Sequence, residues 1–148
     1  MTNVEKDLAY AEQMQSAEEF ISTVAQITTN SNQLQILVEL GSICSDDDLL
    51  EIWCGSGDLT AQLAKVANQV VGTDYSEKLI LAAKSRFPDL TFIVSDTFTL
   101  PVSNAKFDVV VSNFTAHHYD EPERQFSEAY RVLTSNGRLL ITIPVQSK

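Results

Sequence analysis

Leu49-Leu50-Glu51-Ile52-Trp53-Cys54-Gly55-Ser56-Gly57-Asp58-Leu59-Thr60 is the stretch on which the fold turns. Its first half is a short apolar run with one acid, the composition of a strand buried on both faces. Its second half sets Gly55 and Gly57 one residue apart, a turn in which a backbone can approach a ligand closely because no Cβ intervenes. Leu59 to Val66 then reads as a helix whose free N–H groups point back toward that turn. Strand, glycine turn and helix in that order predict the first half of a βαβ unit.

The same alternation continues to both sides. Gln69-Val70-Val71-Gly72-Thr73 reads as a second strand ending in Asp74. Ser76 is suited to cap a helix carrying Leu79, Ile80, Ala83 and Phe87, which Pro88 stops. Leu90 to Val94 reads as a third strand and Phe107 to Ser112 as a fourth. Glu121 to Leu133 reads as a helix with Pro122 in its first turn. Asn136-Gly137 is expected to turn into a fifth strand, Arg138 to Ile143. Upstream, residues 1 to about 28 and Asn32 to Leu40 read as helices, with Gly41 expected as a C-cap. The expectation is an α/β fold: a Rossmann-like, doubly wound, mainly parallel five-stranded sheet with N-terminal helices. Residues 1–47 would form a helical lid or cap segment and residues 48–148 the core, within a single domain overall. Ligands in such sheets bind beyond the carboxyl ends of the strands, at the switch in strand order.

Composition narrows the classes. The chain has 148 residues, is 44% hydrophobic and 20% charged, and has only five Gly and four Pro, which fits a folded domain and not a low-complexity or disordered one. No apolar run approaches the roughly 20 residues that span a bilayer, and the N-terminus has no apolar signal region, so no membrane partner is expected. Cys44 and Cys54 are too few for a disulfide scaffold or a zinc site, and a reducing, cytoplasmic setting is the simplest reading. The net charge is −10, and residues 1–74 hold 12 acids against 2 bases. Such a half repels phosphate backbones, so nucleic acid is not an expected partner.

The residues at the strand ends suit a nucleoside-bearing ligand. Asp74 can accept both hydrogens of a ribose diol. Asp96 can accept from an exocyclic amine, and Thr97 can offer a backbone donor to the ring. A dinucleotide fingerprint fits poorly: its third glycine is replaced by Thr60, and a pyrophosphate would face Glu51 and Asp58. A P-loop is excluded because no Gly-Lys-Ser/Thr occurs.

At this point Leu49 to Pro144 resembles the core of a class I S-adenosylmethionine-dependent methyltransferase of the small-molecule branch. Leu50 to Gly57 resembles the first motif, an acid followed by a glycine-rich turn. Gly72-Thr73-Asp74-Tyr75-Ser76 resembles the second, whose acid holds the ribose hydroxyls. Ser95-Asp96-Thr97 matches the adenine-side acid, Phe107 to Asn113 the fourth-strand motif, and Glu128 to Ile141 the helix, turn and fifth strand. Two departures stand out: Trp53 occupies the position of the first motif glycine, and the sequence ends soon after the fifth strand, where the family's sheet continues. The resemblance implies a cofactor site of Glu51, Trp53, Cys54, Gly55, Ser56, Gly57, Asp74, Tyr75, Asp96, Thr97 and Asn113, holding S-adenosylmethionine.

Function follows as an expectation: methyl transfer to a small-molecule O, N or C acceptor, with His117 or His118 as the base. The alternative is a catalytically inactive methyltransferase-like binding or assembly protein, which Trp53 and the missing strands favour. Asp58 is expected to cap the following helix, Cys54 to be a small buried residue, and Tyr10, Tyr75 and Phe114 to be available for stacking. An apolar fifth strand at the sheet edge is expected to pair with another chain, either a second copy in a homodimer or a partner.

Overall fold

The computed structural model describes residues 32–113 and 122–142. Five strands, β1 (Asp48–Ile52), β2 (Gln69–Asp74), β3 (Thr91–Val94), β4 (Phe107–Asn113) and β5 (Leu133–Thr142), form one sheet in the order β3-β2-β1-β4-β5, every pair parallel. Four helices accompany them: α1 (Gln33–Gly41), α2 (Asp58–Leu63), α3 (Glu77–Arg86) and α4 (Pro122–Val132). The doubly wound, mainly parallel five-stranded sheet is therefore observed. β1 lies at the centre, flanked by β2 and β4, so the strand order reverses beside it. The crevice of a doubly wound sheet opens at that reversal, above the carboxyl ends of β1 and β4.

The buried acid in β1 follows from the period of two. Leu49, Leu50, Glu51 and Ile52 are all at most 1% exposed. Leu49 packs with Val109, Val111, Leu59, Leu63 and Leu37 on the face covered by α1 and α2. Leu50 and Ile52 point the other way, onto Val110, Ala129 and Val132 beneath α4. Glu51 shares the parity of Leu49, which turns its carboxyl toward α2. A third cluster, Cys54, Ile80, Ala83 and Phe92, seats α3 against the outer strands.

Three local expectations are corrected. Gly41 is the last residue of α1, and the left-handed C-cap is Ser42 (φ 48°). Gly41 is small for packing: a Cβ there would stand 2.5 Å from Leu140 Cδ1. Asn136-Gly137 does not precede the fifth strand but lies within it. Leu133 pairs with Phe107 directly after α4, residues 134–137 are extruded, and pairing resumes at Arg138 opposite Val109. Asp58 is the first residue of α2 and makes no cap bond; the N-cap is Gly57 (φ 88°). The expected cap at Ser76 is present, its side chain accepting from Leu79 N at 3.3 Å. Residues 1–28, expected to be helical, lie outside the described residues.

Between β3 and β4 the chain crosses the sheet through residues 95–106 without a helix of their own. α4 holds this crossing. Arg131 donates to Leu100 O (3.0 Å), Val102 O (3.0 Å) and Asn104 Oδ1 (2.7 Å), while Glu128 accepts from Leu100 N (2.8 Å). Arg131 also pairs with Glu128 at 2.6 Å, which lowers the Glu128 carboxyl below its ordinary range.

Candidate functional site

The turn after β1 is pinned from several sides. Cys54 N donates to Thr73 O at 2.9 Å, and Gly57 N donates to Cys54 O at 3.0 Å. Gly55 (φ 58°) and Gly57 (φ 88°) are left-handed, the region glycine enters without cost. At Gly57 space is limiting as well, since a Cβ would meet Phe92 Cζ at 2.7 Å. Trp53 has φ 61°, so an indole-bearing residue sits in a conformation that costs L-residues roughly 1–2 kcal/mol. It is half-buried and packs against the Leu50, Ile52 and Leu100 cluster.

Two buried carboxyls underlie this turn. Asp74, at the end of β2, accepts from Gly55 N through Oδ2 (2.9 Å) and from Ser76 N through Oδ1 (2.8 Å). Each oxygen keeps a second acceptor position. Burial pushes the Asp74 carboxyl up to about 6 against the pull of those two N–H groups. Glu51 lies deeper and accepts from the Thr60 hydroxyl of α2. Burial pushes its carboxyl up to about 8, opposed by the Thr60 bond and reinforced by the charges of Asp74 and Asp58. Glu51 therefore braces the turn from beneath. Cys54 is buried, and its thiol is pushed well up by burial; a nucleophile needs the opposite shift.

At the third strand end, Asp96 Oδ1 accepts from Phe98 N (2.8 Å) and Thr99 N (2.7 Å), closing a tight turn. Thr97 is 2% exposed, and its hydroxyl has no partner among the described residues. Tyr75 is half-buried beside Asp74. Asn113 is the last residue of β4, in register with Thr142. The structure thus brings Trp53 to Gly57, Asp74, Tyr75, Asp96 and Thr97 to one rim, with Asn113 at the neighbouring strand end. His117, His118 and Phe114, together with Tyr10, lie outside the described residues. Among the described residues no cluster of ligating side chains could hold a metal, and no helix is long and apolar enough to cross a membrane.

Sequence reasoning missed three contributors. Thr60 appears there only as a failed glycine, yet it is the hydroxyl that satisfies Glu51. Arg86, at the end of α3, bonds Ser56 and Asp58 across 28 to 30 residues. Gln125 of α4 is 2% exposed, with neither amide atom partnered among the described residues. None of these carries a local sequence signal, because the partners of Thr60 and Arg86, and the residues that bury Gln125, lie elsewhere in the chain.

These groups fit the cofactor that the resemblance implies. Two left-handed glycines give close backbone approach, Asp74 retains acceptor capacity at the end of β2, and the orphaned Thr97 hydroxyl waits at the end of β3. The comparisons point to the same cofactor class. A family model described as "Methyltransferase domain" matches residues 50–141, and one described as "tRNA (Uracil-5-)-methyltransferase" matches residues 3–90. A protein of Mycobacterium tuberculosis named "Probable S-adenosylmethionine-dependent methyltransferase" is 34% identical over 101 residues, 68% of this chain and 37% of its own length. A demethylmenaquinone methyltransferase of Thermotoga maritima is 32% identical over 107 residues, covering 71% of this chain and 47% of its own length. The chain therefore spans less than half the length of these curated relatives. Among solved structures, a Bacillus halodurans protein is 25% identical at a TM-score of 0.69, covering 75% of this chain and 50% of its own. The (4+2)-cyclase SpnF shares the fold at a TM-score of 0.70 and 24% identity, covering 75% of this chain and 43% of its own. With the parallel sheet, the glycine turn and the match over residues 50–141 in agreement, the chain belongs to the class I S-adenosylmethionine-dependent methyltransferase family.

Proposed function

We propose that this chain binds S-adenosylmethionine and transfers its methyl group to a small-molecule acceptor. The observation that carries the reading is the pinned glycine turn beside the strand-order reversal, with Asp74 joined to Gly55 N at 2.9 Å. Gly55, Ser56 and Gly57 would lie along the cofactor by backbone approach, Asp74 would accept from its ribose, and Asp96 with Thr97 would face its adenine. When bound, the cofactor supplies a methyl group on a sulfonium. This chain's residues would align it and exclude water, which is where most of such a rate enhancement arises. Within this reading residues 1–47 supply a cap over the acceptor, His117 or His118 takes a proton, and the β5 edge pairs two copies. A net charge of −10 supports a small acceptor over an RNA.

One observation favours a second reading. Trp53 at φ 61° fills the first glycine position of the motif, beside the turn itself. A methyltransferase-like binding or assembly protein that no longer turns over accommodates this more easily. The fold is compatible with other work, since the cyclase named above shares it.

Trp53 is the only tryptophan, so its emission reports on the turn directly. S-adenosylhomocysteine titrated into the chain is expected to change that emission and to raise the unfolding midpoint. Ligand at 100 times its Kd stabilises by about 2.7 kcal/mol. No spectral change and no thermal shift at millimolar ligand would leave only the second reading.

A further inference from the structure

We propose that Arg86 is the positioning residue of the cofactor turn: its guanidinium clamps the Ser56 carbonyl and the Asp58 carboxylate, fixing the Gly55–Gly57 backbone before any ligand arrives. The inference rests on the reading that this turn binds S-adenosylmethionine.

Each peptide of the turn has an identifiable tether. Thr73 O holds Cys54 N, Asp74 holds Gly55 N, and Cys54 O holds Gly57 N. The tether on Ser56 comes from α3. Arg86 Nη1 donates to Ser56 O (3.2 Å), Ser56 Oγ (2.9 Å) and Asp58 Oδ2 (3.0 Å), and Nη2 donates to Asp58 Oδ1 (2.7 Å). Ser56 Oγ itself donates to Asp58 Oδ2 at 3.0 Å, so the three residues close a ring of bonds. The guanidinium lies 5.0 Å over the Phe87 ring. Phe87 Cδ2 in turn would stand 3.1 Å from a Cβ on Gly57. The end of α3 therefore presses on the turn and bonds it at once.

The physical case for the clamp is entropic and electrostatic. Two glycines within three residues give the free turn wide conformational freedom, and a ligand that had to order it would lose affinity. Fixing Ser56 from α3 moves that ordering into folding. A planar fork suits the task because it can serve a carbonyl, a hydroxyl and both oxygens of a carboxylate together, which a lysine ammonium cannot. The pairing also neutralises Asp58 at a rim that already holds Asp74 and Asp96, and it raises the Arg86 guanidinium above its ordinary range.

The test uses the full chain, with S-adenosylhomocysteine as the probe. Its Kd is measured by calorimetry, the turn by acrylamide quenching of Trp53 in the ligand-free protein, and stability by the thermal midpoint. Arg86→Ala is expected to weaken S-adenosylhomocysteine about tenfold and to increase Trp53 quenching. Arg86→Lys keeps the ion pair with Asp58 but loses the fork. It is expected to hold the midpoint near that of the unaltered chain while affinity still falls severalfold, a split that general destabilisation does not produce. Arg86→Lys also carries the test if Arg86→Ala fails to fold. A Kd within twofold of the unaltered chain in Arg86→Lys and in any folded Arg86→Ala, with unchanged quenching, overturns the clamp alone. Absence of binding in the unaltered chain overturns the methyltransferase reading, and the ligand role of Arg86 with it.

Discussion

Trp53 and Glu51 both hold positions that carry a cost, and each predicts its own measurement. At φ 61°, Trp53 sits where only glycine is unstrained. Truncation to alanine removes the indole and keeps a Cβ in the left-handed region, whereas truncation to glycine removes both. Trp53→Gly should therefore be more stable than Trp53→Ala by about 1 kcal/mol in urea denaturation, the reverse of the usual ranking in regular structure. Equal or inverted stabilities would mean that the turn carries no strain. Glu51 makes a prediction about pH. Its carboxyl is held up to about 8 in the folded chain and titrates near 4.5 when unfolded. Between those values the unfolded state has released the proton and the folded state still holds it, so stability falls as pH rises, by about 1.4 kcal/mol per unit at most. Asp74, raised to about 6, adds to this fall at its lower end. Glu51→Gln keeps an acceptor for Thr60 and cannot ionise. Its stability advantage over the unaltered chain should grow from pH 5 to about pH 8, read by denaturant midpoints across that window; a flat difference rules out the buried-proton account. Of these two costs, only the Trp53 substitution was legible in the sequence. Glu51 was recognised as an acid of the site, but its burial depends on the parity of β1 and on Thr60.

At the scale of elements, the sequence conveyed the order of strands and helices and missed what ties them. Apolar runs and glycine punctuation are local, so β1, β2 and β4 emerge within a residue or two of their observed bounds. β5 does not, because its start is decided by Leu133 finding Phe107, a pairing across the sheet that overrides the turn signal of Asn136-Gly137. Gly41 misleads for a similar reason: its role is to admit Leu140, 99 positions away, and not to bend the chain. The ties themselves are three arginines. Arg86 joins α3 to the glycine turn, Arg131 joins α4 to the 95–106 crossing, and Arg138 joins β5 to Gly41 O (2.7 Å) and Asp47 (2.7 Å). Nothing in the spacing of these residues foretells their carbonyl partners. Because the Arg131 guanidinium serves three acceptors of the crossing and Glu128 together, lysine cannot replace it. Arg131→Lys should cost about 1–2 kcal/mol and speed amide exchange in residues 96–102, leaving exchange in α1 unchanged. Uniform acceleration across the sheet would show that the bond network is not specific to the crossing.

For the whole molecule the deciding quantity is charge. Of the two family descriptions, one names no acceptor and the other names a transfer RNA enzyme. An RNA partner must have its phosphates met by Lys and Arg, and the affinity so obtained decays steeply with salt. This chain holds 10 such residues against 20 acids. Arg86, Arg131 and Arg138 are already paired with Asp58, Glu128 and Asp47. Their charges hold elements together and neutralise acids that would otherwise repel one another. The same imbalance has a consequence for stability. Net charge far from zero strains the compact state through self-repulsion, and added salt screens it. The unfolding midpoint should therefore rise as sodium chloride is taken from low to physiological concentration, while bulk transfer RNA fails to retard the chain in a native gel even at low salt. A salt-sensitive retardation by transfer RNA would instead place a cationic surface on this chain and move the proposed acceptor from the small-molecule class to the nucleic acids.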